Sequence, residues 1–469
     1  MALSAIGQRL AQLITPGLVT FDDESRPVPD LAQSFRQLDA TTLEFTLRPD
    51  LEFHDGTALT ARDVQATYEA LLRKRIPSPR ADRLEVLERL EALSDRVVRL
   101  HLKRPYAAIF AELSIGIVPA SRAEETGLQE SSPVGAGPFR FVARPDEEHI
   151  ELAPFPRYYR GGPRISTLQV RVVRDETTRV LELLKGRADL VSTGVSPAVL
   201  PLIRAQPHLR VLARPGSGFA YMAFNVREGP VSDIRVRQAI CHLLHTEPIV
   251  EHKFHGLAER ATGMLPASHW AYARTPGCAH DPARSAALLD AAGYPDPDGS
   301  GGRPRLTLSY KTSSDRFRKS VALVLKEQLE QGGIGVDLRA LEFGTFFNDV
   351  RTGNFEIFTL KWASVIEPDL LRWVFGSAHI PTAANNFGGF NRGGYANREL
   401  DRLLERASAV EPEERRALYA EALRIVDREL PYIPLWHESS VAVVSQRLRG
   451  FEPSAHGFLR SLAEATEVR

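Results

Sequence analysis

Several side-chain groups in this chain have the types and spacing that chemistry uses. His54 and Asp55 stand beside Gly56 in 53-FHDGTALTARDV-64, the makings of a hydrolase's base and its orienting acid. His242 and His245 lie three apart with Cys241 next to them, and His252 and His255 repeat the spacing. Histidines at i and i+3 share a helix face, a metal-ligand arrangement. The loop 296-DPDGSGG-302 hints at calcium. In 361-KWASVIEPDLLRWVF-375, Trp362, Glu367, Asp369, Arg372 and Trp373 gather around a strand exit, and 386-NFGGFNRGGY-395 adds Asn391, Arg392 and Tyr395 on a glycine-rich loop. Aromatic walls with a few polar groups are what small-ligand clefts use, and loops after strand ends are where α/β proteins bind ligands.

Most of these have a plainer reading. Asp55-Gly56 is a turn dipeptide that closes the strand run 43-LEFTLRPDLEF-53. Thr60 with Asp63 three residues on approximates a capping box for a helix over 61–74, where Val64, Tyr68, Leu71 and Leu72 recur at helical spacing. Glu247-Pro248 breaks the helix between the two histidine pairs, so nothing brings the pairs together. An EF-hand needs a carboxylate at its twelfth position, which here is Thr307. The nucleophile pattern G-x-S-x-G does not occur, and 216-GSG-218 lacks its spacing. The reading is therefore no enzyme, no cofactor and no metal site. For the Trp362 set, a packed tryptophan among solvated charges stands against a ligand cleft.

The elements that position these residues alternate between strand and helix. The 469 residues exceed one compact core and predict two or three domains. Lysine plus arginine number 59 and aspartate plus glutamate 59, so the net charge is zero and predicts no nucleic-acid or membrane-surface partner. No apolar run approaches the roughly 18 residues that span a bilayer. The start, MALSAIGQRLAQLI, lacks the charged and apolar regions of a secretory signal; a leader was removed or missed, or the protein is cytosolic. Cys241 and Cys278 make one bridge or none. A hairpin over 88–93 and 97–102 is followed by the loop 133-PVGAGPF-139 and a strand over 168–173. A helix over 175–186 ending on Gly186 and a short buried strand over 188–191 give a βαβ-like unit. After the aromatic strand 219-FAYMAFNV-226 come helices over 234–244 and 284–294, then strands over 305–310, 336–341 and 355–362 alternating with helices over 316–333 and 345–353. Helices over 397–408 and 412–430 and an extended return over 432–445 complete the second of two α/β lobes.

Eight segments, in order, carry a family resemblance: 17-GLVTFDDESRPVPDLAQSF-35, 45-FTLRPDLEFHDGTALTARDV-64, 135-GAGPFRF-141, 158-YYRGGP-163, 185-KGRADL-190, 223-AFNVREGPVSDIRVRQAI-240, 281-DPARSAALLDAAGY-294 and 430-LPYIPLW-436. The chain resembles the family 5 extracellular solute-binding proteins of ABC importers, a group of oligopeptide-, dipeptide- and nickel-binding proteins. The resemblance implies an α/β, two-lobed periplasmic-binding-protein fold of class II type. Lobe one would span 1–222, with an inserted subdomain at about 36–150, lobe two 223–434, and 435–469 would return to lobe one. It implies a monomer that encloses a peptide or other small solute between lobes, closes on it by a hinge, and delivers it to ABC permease subunits from the periplasm, although no signal peptide is visible. The position of the aspartate that holds a peptide's amino group is taken by Ser364 or Val365, with Glu367 or Asp369 as shifted substitutes. Lys311 falls near the basic residue that holds a carboxylate in some dipeptide binders. The expected ligand-binding residues are Tyr221, Asn225, Trp270, Lys311, Trp362, Ser364, Arg372, Asn391 and Arg392. A metal or metal-chelate carrier of the nickel type is the alternative, and a hydrolase a further one.

Overall fold

The structure, a computed structural model, describes residues 5–73, 81–123, 132–299 and 302–468. It divides into two compact units: one built from the chain up to Val195, Val199–Arg214 and Ser440 onward, the other from Ser196–Ala198 and Pro215–Ser439. The strands Leu209–Phe224 and Tyr432–Ser445 each run from one unit into the other.

In the first unit, the strands Ala32–Asp39, Thr42–Leu47, Val97–Leu102 and Leu87–Ala92 form an antiparallel sheet in that order. Alternation along Val97–Leu102 sends Val98 and Leu100 inward against Phe45, and the helix Ala61–Leu72 lays Val64, Tyr68 and Leu71 over them. Asp63 starts that helix. One carboxylate oxygen accepts from the Thr60 N–H at 2.8 Å and hydroxyl at 3.0 Å, and the other from the Ala120 N–H at 2.9 Å. Lys74, the expected helix end, lies outside the described residues.

His54 and Asp55 have structural partners. The His54 ring accepts at Nδ1 from the Gly135 N–H (3.3 Å) and donates from Nε2 to the Gly137 carbonyl (3.0 Å). Burial pushes its pKa down to about 4, so a neutral ring braces the turn against the 133–139 loop. That loop needs its glycines: a Cβ on Gly135 would lie 2.0 Å from the Ile14 carbonyl oxygen, and one on Gly137 2.3 Å from that of Leu13. Asp55 turns onto Thr57, accepting from its N–H at 3.0 Å and its hydroxyl at 2.6 Å.

The 158-YYRGGP-163 motif also has a local cause. Tyr159 donates at 2.6 Å and Arg160 at 3.2 Å to the buried Asp30, and Arg460 donates to the same carboxylate, so one acid ties three distant parts of the first unit together. The βαβ-like expectation for 168–191 is corrected. The helix Glu176–Leu184 forms, capped by Asp175 and followed by Gly186 at φ +66°, but its flanking strands belong to different sheets. Leu168–Arg171 edges a three-stranded antiparallel sheet, while Leu190–Val191 is half-buried and pairs antiparallel with Val443–Val444. Two residues carry too little pattern to select a partner strand.

The second unit does contain a βαβ unit. Leu306–Ser313 and Ile334–Leu341 pair in parallel across the helix Arg316–Gln331, whose first turn is capped by Asp315. Leu306–Ser313 also pairs in parallel with Ile357–Trp362, which pairs antiparallel with Leu209–Phe224. The aromatic stretch of that last strand is buried on both faces. Ala220, Met222 and Phe224 face one core with Ile240, Leu308 and Trp436; Phe219, Tyr221 and Ala223 face another with Phe358, Phe375, Leu404 and Tyr419. This is why it reads as continuously apolar rather than alternating.

Cys241, on the helix Ile234–Leu243, is disulfide-bonded to Cys278, with Cα atoms 5.8 Å apart. The helix break foreseen at Glu247-Pro248 instead falls at Leu244 and His245, and a second helix, Thr246–Phe254, begins there. Pro248 sits in its first turn, where a backbone N–H has no intrahelical partner to lose.

Candidate functional site

The histidines do not converge on a metal. His242 Nδ1 lies 2.8 Å from the Ala279 carbonyl oxygen, His245 stacks on His280 at 4.8 Å, and His255 ends its helix at φ +49°. Among the described residues no group of three or more metal-ligating side chains occurs. In the 296–302 loop, Ser300 and Gly301 lie outside the described residues. Asp296 accepts from the Asp298 and Gly299 N–H groups at 3.1 and 2.8 Å, an ordinary turn.

The Trp362 region of the second unit is built around Phe390. Trp362 ends the strand Ile357–Trp362, and its ring meets Phe390 edge-on at 5.4 Å. Trp373, from the short helix Leu370–Phe375, lies 6.3 Å from the same ring and stacks on His379 at 4.1 Å. All three large rings are half-buried, so each keeps surface in solvent. Arg372 lies over Trp373 at 5.3 Å while its guanidinium pairs with the buried Asp369 at 2.9 Å. Arg392 lies 5.8 Å from the centre of Phe390 and 4.8 Å from that of Phe347. Trp362, Arg372 and Arg392 are thus brought together through two rings, Phe390 and Trp373.

Glycines and Asn391 shape the loop that carries Phe390 and Arg392. A Cβ on Gly389, at φ +107°, would sit 2.2 Å from the His379 carbonyl oxygen. Asn391 is buried; its amide donates to the Gly376 and Tyr395 carbonyls at 3.0 and 2.7 Å and its oxygen accepts from the Tyr395 N–H at 3.1 Å. It holds the loop and spends its polar groups doing so. Ser364 is hydrogen-bonded to Ser217 at 2.7 Å, beside Trp362.

Other expected site residues lie apart from this group. Lys311 is 5% exposed, and its ammonium donates to Asp349 at 2.8 Å and to the Asn354 carbonyl at 2.5 Å. Asn225 donates to the Gly353 carbonyl at 3.2 Å. Both residues close on the same 353–354 turn. Trp270 is half-buried, with the Arg415 guanidinium 5.2 Å over its ring; Arg415 in turn pairs with Glu367, whose carboxyl burial pushes up. Its neighbour His269 reaches the Ile366 carbonyl at 2.9 Å, which links Trp270 to the loop after Trp362. Tyr221 is fully buried and stacks on Tyr432. The void lined by Phe219, Met264, Phe375 and Tyr432 measures about 10 Å³, room for at most one water.

Phe390, Phe347 and Tyr432 went unassigned from sequence. Phe390 had a signal, a lone aromatic between glycines in GGFNRGG; Phe347 and Tyr432 sit in ordinary helix and strand patterns.

The mixed α/β, two-lobed fold is that of the periplasmic binding proteins. The chain belongs to the bacterial extracellular solute-binding proteins, family 5: the model of that family's middle region matches residues 26–379. It is a solute-binding component of an ABC importer, and proteins of this family are transport proteins that work with ABC permeases. It is similar to the glutathione-binding protein GsiB of Pectobacterium atrosepticum, 27% identical over 96% of this chain and 88% of that one. A probable di/tripeptide-binding protein of Pseudomonas aeruginosa is 26% identical over 95% of this chain and 89% of its own length. The solved structure of NikZ from Campylobacter jejuni, in complex with Ni(L-His), superposes with a TM-score of 0.85 at 25% identity, covering 97% of this chain and 94% of that one.

Proposed function

We propose that this protein captures short peptides in the periplasm as a monomer, drawing its two lobes together around them, and delivers them to its permease without chemical change. The peptide would lie against the Trp362, Trp373 and Phe390 rings. The observation that carries this is three half-buried aromatic rings converging on one loop, with guanidinium groups beside them. Such rings supply large contact area at low entropic cost, and water-filled space around them tolerates varied side chains. The relatives named for glutathione and for di- and tripeptides support the same class of ligand. In this reading Lys311, Asn225, Asn391 and Tyr221 shape the site rather than grip the peptide, while Ser364, Arg372 and Trp270 border it.

Calorimetry with pools of di- to pentapeptides tests the proposal. Wild type should bind, and Trp362→Ala should weaken binding at least tenfold, as truncation of a central aromatic anchor does. Unchanged affinity in the variant would remove Trp362 from the site. A second reading, a metal chelate, is favoured by the likeness to NikZ holding Ni(L-His). Stoichiometric nickel in the purified protein, seen by native mass spectrometry, would select it.

A further inference from the structure

Among the described residues, the second unit buries an arginine with no acid paired to it. Arg392 is 7% exposed. Among the described residues its guanidinium makes no ion pair; it neighbours the Tyr221 hydroxyl, and Nε is sealed from solvent without a partner. Other buried arginines of the same unit are provided for. Arg415 pairs with Glu367 and donates to the Ala407 carbonyl at 3.1 Å. Arg237 donates to the carbonyls of Val231 (2.8 Å), Ser232 (2.9 Å) and Glu429 (3.0 Å).

In place of an acid, Arg392 meets two ring faces, Phe347 at 4.8 Å and Phe390 at 5.8 Å. Cation–π attraction offsets part of the cost of burying a charge, not all of it. Three more polar atoms nearby share the deficit. The hydroxyls of Tyr221 and Tyr432, which neighbour each other beside Arg392, and the indole N–H of Trp362 are buried and reach no acidic acceptor. Arg392's charge acts on both phenols, pulling their pKa values down against burial, which pushes them up. Trp362 shares the Phe390 ring with Arg392. The cluster is therefore rich in donors, carries a positive charge and holds no acidic acceptor.

We propose that Arg392 recognises a carboxylate of the bound solute, with the Tyr221 and Tyr432 hydroxyls and the Trp362 N–H behind it, so that the solutes carried are acids. A guanidinium is planar and always charged, and its fork matches a carboxylate. This rests on the solute-binding reading above and adds the group that is recognised.

Calorimetry of wild type, Arg392→Gln and Arg392→Lys against three probes tests it: Ala-Ala-Ala, its C-terminal amide, and Ala-Glu-Ala amide. Wild type should bind the free acid roughly ten- to a hundredfold more tightly than the amide, and Arg392→Gln should abolish the difference. Arg392→Lys, which keeps the charge without the fork, should restore part of it. Tight binding of the glutamate amide instead would support the same contact with a side-chain carboxylate as its source. Equal binding of acid and amides by wild type, or a preference that survives in Arg392→Gln, overturns the assignment and leaves solute binding standing. Should no probe bind, the peptide reading fails. Thermal unfolding in sodium acetate against sodium chloride at matched ionic strength then decides: a rise in Tm with acetate, absent in Arg392→Gln, supports the inference, and equal Tm values overturn it.

Discussion

The rings of Tyr221 and Tyr432 stack 4.3 Å apart and within 3° of parallel, one from each of the two longest strands, and their buried hydroxyls have no partner beyond each other and Arg392. Ring packing and hydroxyl chemistry can therefore be separated. Tyr221→Phe and Tyr432→Phe should change stability by less than about 1 kcal/mol, because buried hydroxyls that meet only each other and a guanidinium, with no acidic or backbone acceptor, contribute little that their removal would lose. Tyr221→Ala should cost about 3–5 kcal/mol through the cavity it leaves. Urea unfolding of the three variants checks both values. A large loss in either Phe variant would mean that the hydroxyls are held by a stronger hydrogen bond than these contacts supply.

The Cys241–Cys278 bridge closes a loop of sequence separation 37 within the second unit. Loop-closure entropy gives it roughly 4 kcal/mol of stabilisation. Cys278→Ser, or reduction of wild type, should lower stability by that order. Guanidinium unfolding with and without reductant measures it, and equal midpoints would show that the bridge adds nothing.

Lys311 and Asp349 pair at 2.8 Å with the lysine buried. The ammonium holds the Asp349 carboxyl below its usual range. Lys311→Met should cost about 3–5 kcal/mol by stranding the acid, and Lys311→Met with Asp349→Asn should recover much of that. Peptide affinity of the folded double variant separates two roles. Unchanged affinity fits a residue that fixes the 353–354 turn, whereas a tenfold loss would return Lys311 to the ligand.

His54 sets a pH dependence in the first unit. Its folded pKa of about 4 lies below the ordinary 6.5, so the unfolded chain binds the extra proton between those values. Stability from this group is fully present above about pH 6.5 and is lost as pH falls toward 4, to a total of about 3 kcal/mol. Urea midpoints across pH 8 to 4 should show the fall, and His54→Phe should flatten it. An identical slope in the variant would assign the effect to other groups.

What the sequence determined by itself was local. The Thr60–Asp63 cap, the hairpin over 88–102, the helix after Asp175 and the alternating elements from 305 to 430 follow from patterns that span one or two turns, and neighbours in the chain decide them. Residue order across eight segments also carried the family. Partner choice was not legible: the short 190–191 strand joined another sheet, and the two cysteines, 37 residues apart, left their pairing open. The same limit applies to the site. Lys311, Asn225, Asn391 and Arg392 looked alike as polar residues near strand ends, yet three of them meet carbonyl or carboxylate acceptors inside the fold and Arg392 meets ring faces and a phenol. Whether a buried polar group is satisfied depends on atoms brought from distant parts of the chain, and only the tertiary structure decides which atoms those are.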